Sequence, residues 1–318
     1  LPINPKPPVT IIFFITFFFT TIVILSILYS QMEFTSNNLT FVIVTFNSRK
    51  VIYDCLNSLP KDFHKLIIEN SSDKELKKEL EQNYDKTKVI LSTNIGMGAA
   101  NNIGILESNT QYVYVLNPDV ILNKETLSNI NSSISSLKNF AILSPVSDNL
   151  SFPNYKIKQQ NKSSDSNIIL NVEEIDGYSM IINKNYFNDN FYFDEKFFMY
   201  LENVDLCLRA QKNNGELFVI KNSKIHHLGS KAVDDKYSEE VELSRNWHWM
   251  WSKFYFNKKH RGIFISSIFG ISSLIGNFLK YLVCLISLSK KKKIYKIRMS
   301  GIINAFLGKR SWYRPEIN

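Results

Sequence analysis

The sequence predicts an α/β fold built on a mostly parallel sheet wound on both faces, and three observations carry that reading. Apolar strands alternate with amphipathic segments from Leu39 onward, polar residues cluster where those strands end, and glycines gather at a strand-to-helix turn. In order, Phe41–Phe46 reads as a strand, Val51–Leu59 as a helix, Leu66–Ile68 as a strand and Lys74–Asn83 as a helix. Val89–Leu91 then reads as a strand, Gly98–Glu107 as a helix and Tyr112–Leu116 as a buried strand. Sheets of this class bind ligands beyond the carboxyl ends of their strands. Those ends carry Thr45, Phe46 and Asn47, then Glu69, Asn70, Ser71 and Asp73, then Asn94, and finally Asn117-Pro118-Asp119. Residues 147–170, rich in Ser, Asn, Lys and Gln, read as a loop or a weak edge hairpin. Beyond them, Gly177 precedes a strand at Ser179–Ile182, and a further strand at Leu217–Ile220 leads to His226-His227.

The 318 residues leave room for one large or two modest domains, and a hydrophobic share of 44% excludes a disordered chain. Lys and Arg total 38 against 29 Asp and Glu, so the chain carries +9, which points to polyanionic partners. The charge is placed tellingly. Lys290–Lys293, Lys296 and Arg298 directly follow the apolar run Ile263–Leu288, an arrangement that suits a membrane surface and not a nucleic acid. Cys55, Cys207 and Cys284 show no CxxC spacing, which argues against a disulfide framework or a zinc site and for a reducing compartment. Val9–Tyr29 is uncharged, long enough to span a bilayer and without a small-residue cleavage site. Two readings of residues 1–31 stand: a membrane anchor, or an extension upstream of a start at Met32.

The chemistry concentrates in FDEKFFMYLENVDLCLR, residues 193–209, which sets Asp194, Glu195, Glu202 and Asp205 within one aromatic run. Acid/base work needs carboxylates in a partly dry pocket, and the aromatic residues supply dryness. Glu202 and Asp205 are expected to share one face of a helix beginning near Tyr200. The plainer alternative is a capped amphipathic helix with solvated acids. Asp119, after a buried strand and a proline, is either a turn acid or a ligand for Mg²⁺ or Mn²⁺. Adjacent His226 and His227 on a strand end face opposite ways, so at most one completes such a site. Glycines and asparagines in NIGMGAANNIGI, residues 94–105, suit a close backbone approach, although no GxGxxG fingerprint is present.

Taken in order, VTFNS, IIENSSD, NIGMGAANNIGI, LNPDV, DGYSMII, FDEKFFMYLENVDLCLR and HHLGSKA resemble the motifs of family 2 inverting glycosyltransferases, specifically the rhamnosyltransferase-like branch. The final GKRSWYRP is similar to the ending many members carry. The resemblance covers roughly Leu39 to Pro315. It implies the GT-A nucleotide-sugar-binding fold, a mixed, mostly parallel sheet flanked by helices, over residues 39–235, followed by a helical, membrane-associating region at 236–318. It further implies that Thr45, Asn47, Glu69, Asn101, Asn117, Gly177, Trp312 and Arg314 bind substrate and that Asp119 and His227 hold Mn²⁺ or Mg²⁺. Many members read Glu-Asp-x-Asp where this chain reads Glu202-Asn203-Val204-Asp205, and an amide cannot accept a proton at neutral pH. The base role therefore passes to Glu202, with Asp205 next, and an Asp at position 203 is expected to be tolerated. The implied function is inverting transfer of a sugar, rhamnose by the branch, from a dTDP- or UDP-linked donor. The implied acceptor is a glycan or lipid-linked molecule of cell-surface polysaccharide synthesis, at the cytoplasmic face of the plasma membrane. A nucleotide-sugar-binding protein impaired by Asn203 is the first rival. A nucleotidyltransferase is the second, and it is weakened because no Gly-rich, cationic phosphate loop follows the first strand.

Overall fold

The computed structural model describes residues 32–135, 137, 139–149, 153–158, 168–187, 190–229 and 238–314. The Val9–Tyr29 run and the end of the HHLGSKA motif lie outside the described residues. One mixed sheet organises the chain, in the order β3-β2-β1-β4-β9-β6-β10-β8-β7, with β5 paired on β10. Its strands are β1 (Leu39–Thr45), β2 (His64–Glu69), β3 (Thr87–Leu91), β4 (Tyr112–Leu116) and β5 (Val120–Leu122). They continue with β6 (Ile142–Ser147), β7 (Tyr155–Ile157), β8 (Ile169–Ile175), β9 (Ser179–Asn183) and β10 (Leu217–His227). The β3-β2-β1-β4 half is parallel throughout. Beyond it β9 runs antiparallel to both β4 and β6, while β10 is parallel to β6.

Local sequence explains the parallel half. All seven residues of β1 are buried, as a strand covered on both faces requires. One covering layer is α1 (Arg49–Ser58), whose Val51, Ile52, Cys55 and Leu56 face inward at helical spacing. Helix α2 (Lys74–Asn83) is capped by Asp73, whose carboxylate accepts from the Leu76 amide at 2.8 Å. Helix α3 (Met97–Glu107) buries Gly98, Ala99, Ala100, Asn101, Asn102, Gly104 and Ile105. Small residues let it lie close on the sheet, and a Cβ added at Gly104 would overlap the Val42 side chain.

The rest of the chain departs from the sequence expectation in places. Helix α4 (Thr126–Ile134), β5 and β6 form between Tyr112–Leu116 and the predicted loop, where no element was expected. The weak edge hairpin is present as antiparallel β7 and β8. Helix α5 (Glu202–Lys212) begins two residues later than expected, because Tyr200 and Leu201 both adopt left-handed backbone, at φ 71° and 68°. Helix α6 (Ser238–Ile286) breaks at Gly262, with φ 85° and ψ 167°, and α7 (Lys292–Phe306) folds back along it. Trp247, Trp251, Phe254 and Ala305 form the core between them. Past the break, Phe264, Ile268, Ile271, Ile275, Phe278 and Val283 stand exposed, on a helix long and apolar enough to cross a membrane.

Gly104→Ala is expected to lower stability by about 1–3 kcal/mol, the usual cost of overpacking a tight interface. Denaturant unfolding checks it, with the midpoint falling at unchanged slope.

Candidate active site

A cavity of about 540 Å³ opens at the carboxyl ends of the parallel strands. Val44, Phe46 and Ser48 reach it from the end of β1, Asn70 from β2, Asn94 and Gly96 from the turn after β3, and Asn117, Pro118 and Asp119 from β4. Asp176, Gly177 and Tyr178 enter from the turn before β9, and His227 from the end of β10. Helix α5 contributes Glu202 and Asn203, and α6 contributes Val241, Ser244 and Arg245. The last three fall in the stretch expected to be membrane-associating, so that region also builds the cavity wall.

Asp119 and His227 meet because β5 and β10 pair antiparallel with His227 opposite Val120. His227 Nε2 lies 3.4 Å from Asp119 Oδ2, and Tyr178 stacks on the imidazole at 4.0 Å between ring centres. His226 faces away, onto Asp148 at 2.8 Å, as alternation along a strand demands. Asp119 is 3% exposed, yet its Oδ1 has no hydrogen-bond partner among the described residues. A buried polar atom without a partner is rare enough to need a reason. The carboxylate-imidazole pair has the donor chemistry for Mn²⁺ or Mg²⁺, ions that keep several water or phosphate oxygens. No group of three or more His, Cys, Asp or Glu is arranged for a metal among the described residues, so such an ion would depend on oxygens from a ligand. Burial pushes the nearby Asp176 carboxyl up, against the pull of His227.

Glu202 is the first residue of α5 and faces the cavity. Its Oε2 is buried without a partner among the described residues, and burial pushes its carboxyl up to about 7. Asp205, expected on the same face, does not line the cavity. Its fully buried carboxylate is held by Arg209 Nε at 2.8 Å, Lys259 Nζ at 2.7 Å and His260 Nε2 at 2.8 Å. Fully buried, ion-paired and outside the cavity, it is out of reach of a substrate hydroxyl, which corrects its reading as a base candidate. Asp194 shares Lys259 at 2.7 Å and accepts from Tyr255 at 2.9 Å. Glu195 accepts from Asn102, which also clamps the Phe193 backbone through its amide oxygen and nitrogen. Three of the four carboxylates in the motif are therefore structural, and one faces the cavity. Asn203 lines the cavity and donates to the Ile175 carbonyl at 3.0 Å. An Asp there would set a carboxylate against that oxygen, so the exchange is not neutral as the sequence suggested.

The other expected substrate residues divide. Asn117 and Gly177 line the cavity. Thr45, Asn47, Glu69, Asn101, Trp312 and Arg314 are not among its lining residues. Glu69 is fully buried and accepts from the Ser71 and Asp73 amides, shaping the loop that carries Asn70. Thr45 Oγ1 and Asn101 Oδ1 are buried without partners among the described residues. The Asn47 amide donates to Ser71 Oγ at 3.4 Å. Trp312 donates to Asn304, and the Arg314 guanidinium sits 3.5 Å over the Phe198 ring, which itself lines the cavity. Arg314 therefore acts on the wall and not in the cavity, and Trp312 is remote from both.

The sequence profile of glycosyl transferase family 2 matches residues 40–208, more than half of the chain. The chain belongs to this family. One relative, the low-salt glycan biosynthesis hexosyltransferase Agl10 of Haloferax volcanii, is 27% identical over 197 residues, 56% of this chain and 63% of that protein. The chain thus aligns with less than two thirds of that relative's length. Among solved structures, GalNAc-T7 with UDP, GalNAc and Mn²⁺ superposes with a TM-score of 0.52 at 14% identity, over 68% of this chain and 52% of the other. The mannosyltransferase PcManGT of Pyrobaculum calidifontis, with GDP-Man and Mn²⁺, gives 0.50 at 9% identity, over 88% and 89%. These likenesses establish the GT-A-like fold of the family 2 chain.

Asn94, Asp176, Tyr178, Ser244 and Arg245 join the cavity without having been singled out as site residues from sequence. Only their place at a strand end, or on either side of Gly177, signalled Asn94, Asp176 and Tyr178.

Asp205→Ala is expected to destabilise the protein by about 3–5 kcal/mol, because it leaves the Arg209, Lys259 and His260 donors around a buried hole without their shared acceptor. Chemical denaturation measures this, and an unchanged midpoint would remove the structural role given to Asp205.

Proposed function

We propose that this protein is an inverting glycosyltransferase that moves a hexose from a nucleotide-diphosphate donor to a glycan or lipid-linked acceptor. The observation that carries the reading is Glu202, whose carboxylate Oε2 is buried without a partner among the described residues, in the same cavity as the Asp119–His227 pair. Its pKa near 7 suits a general base, which must be ionised to accept a proton yet basic enough to keep it. Glu202 takes the proton of the acceptor hydroxyl. The hydroxyl oxygen then bonds to the anomeric carbon from the face opposite the leaving diphosphate, whose bond to that carbon breaks, and configuration inverts. A Mn²⁺ or Mg²⁺ ion held by Asp119 and His227 would offset charge on the departing diphosphate. Asn203 anchors the start of α5 through Ile175 and so holds Glu202 in register.

The nucleotide is supported as UDP, GDP or dTDP. The first two accompany the GalNAc-T7 and mannosyltransferase structures, and dTDP and rhamnose come from the motif resemblance. The relative's description as a glycan biosynthesis hexosyltransferase supports a role in building a glycan, and the motif resemblance suggests that this glycan is a cell-surface polysaccharide. Residues 39–235 serve as the catalytic unit, with Val241, Ser244 and Arg245 of α6 completing its cavity wall. The apolar stretch after Gly262, ending at Lys290–Lys293, holds the enzyme to the cytoplasmic face of the plasma membrane, where a lipid-linked acceptor resides. Asn203 favours one second reading, a nucleotide-sugar-binding protein without turnover.

A panel of UDP-, GDP- and dTDP-sugars, incubated with and without Mn²⁺, tests the proposal through slow donor hydrolysis. Binding without any hydrolysis would replace the transferase with the binding protein. Glu202→Gln should lower turnover by roughly 10²–10⁴-fold with donor affinity kept. Because a base acts when deprotonated, wild-type turnover should rise with pH through about 7, and a pH profile without that limb would remove Glu202 from the role. Asp119→Ala should abolish stimulation by Mn²⁺, and His227→Ala should weaken it more than His226→Ala does. A variant at Asp119 that is still stimulated by the metal excludes it as a ligand.

A further inference from the structure

Helix α6 presents a second polar group to the cavity, separate from the Asp119–His227 pair. Ser244 is 2% exposed, lines the cavity, and its Oγ has no hydrogen-bond partner among the described residues. Arg245, next in sequence and half-buried, also lines the cavity. No hydrogen bond or ion pair holds its guanidinium among the described residues. Among the described residues, the cavity wall carries three carboxylates, from Asp119, Asp176 and Glu202, and one permanent cation, Arg245. A guanidinium left unpaired beside three acids would normally have been used by one of them. Tyr200 also lines the cavity within electrostatic reach of this cation, which opposes the upward push that burial gives the phenol. The Tyr200 ring packs edge-on to Trp249, one helical turn beyond Arg245, with ring centres 5.6 Å apart.

A fixed planar fork of N–H donors beside a buried hydroxyl suits tetrahedral oxyanions, for which arginine geometry is better matched than lysine. The surrounding carboxylates repel an anion unless a cation is aimed at it. We propose that Ser244 and Arg245 form a phosphate-binding subsite of this cavity. Two substrates could supply the phosphate: the lipid carrier of the acceptor, or the diphosphate of the donor. The inference rests on the transferase reading for those sources, and the experiment separates the two ideas.

Binding of inorganic phosphate, geranyl phosphate, uncharged geraniol, and UDP, GDP and dTDP is measured by calorimetry on the full chain. The proteins are wild type, Ser244→Ala, Arg245→Ala and Arg245→Lys, each checked by thermal melting. Arg245→Ala should weaken the phosphate-bearing probes at least about tenfold, the scale of one lost charge-assisted hydrogen bond. Ser244→Ala should weaken them about threefold and Arg245→Lys by an intermediate amount, with geraniol indifferent throughout. Loss for geranyl phosphate with nucleotide affinity kept assigns the subsite to the acceptor, and loss for the nucleotides assigns it to the donor. Unchanged affinities for every phosphate-bearing probe, in variants that melt like wild type, overturn the proposal. If Arg245→Ala fails to fold, Ser244→Ala and Arg245→Lys carry the same comparison. A protein that loses phosphate affinity in these variants but hydrolyses no nucleotide sugar retains the subsite and fails only as a transferase.

Discussion

The buried carboxylate of Asp205 is the constraint on which the active end of the molecule depends. Burying an ion is costly unless its lone pairs are filled, and here Arg209 fills one side while Lys259 and His260 reach in from α6. Lys259 also holds Asp194. One cluster of charge therefore ties the aromatic segment, α5 and α6 into a single body. Glu202 stands three residues before Asp205 on α5, so its place in the cavity follows from how that helix is pinned. The left-handed pair Tyr200 and Leu201 turns the chain into the helix at that point, a conformation disfavoured for ordinary residues and kept only where the surroundings enforce it.

Much of the parallel half was legible because each of its signals is local. Continuous apolar runs marked strands buried on both faces, and polar residues at their ends marked the cavity. The opposite facing of His226 and His227 followed from strand alternation alone. Strand β6 was missed because Pro145 sits inside it, which ordinarily argues against a central strand. It sits where the ladder is already interrupted: β10 shifts register just after Ile220, the partner of Pro145, and β9 pairs only with Ile142 and Leu143. Helix α4 is rich in Ser and Asn, weak helix formers, and is held by burying Ile130 and Ile134. Asp205 was misjudged because its partners Lys259 and His260 lie far along the chain, and no short motif can show that a carboxylate is already occupied. Ser244 and Arg245 were invisible for a related reason, since they sit in a helix whose composition speaks of membranes.

The carboxy-terminal strap shows how residues outside the cavity still shape it. His248 is buried, and burial pulls its imidazole down to about 4, so it stays neutral. In that state it bonds Ser311 at 2.8 Å through one nitrogen and the Tyr313 carbonyl at 2.7 Å through the other. Because a carbonyl only accepts, Nε2 must carry the proton and donate. This fixes the segment from Ser311 to Arg314 and lays the Arg314 guanidinium on Phe198, a wall residue of the cavity.

The separation between Asp205 and its partners also sets an order of events as the chain is made. Asp205 leaves the ribosome 55 residues ahead of His260, and Asp194 emerges 65 residues ahead of Lys259. Until Lys259 and His260 appear, Asp205 has only Arg209 to hold it and Asp194 lacks its lysine, and a dry interior closes poorly on carboxylates so sparsely partnered. Completion of the Asp205 cluster therefore waits for α6. A nascent chain that already holds every strand still lacks the Val241, Ser244 and Arg245 side of the cavity wall until that helix has been synthesised.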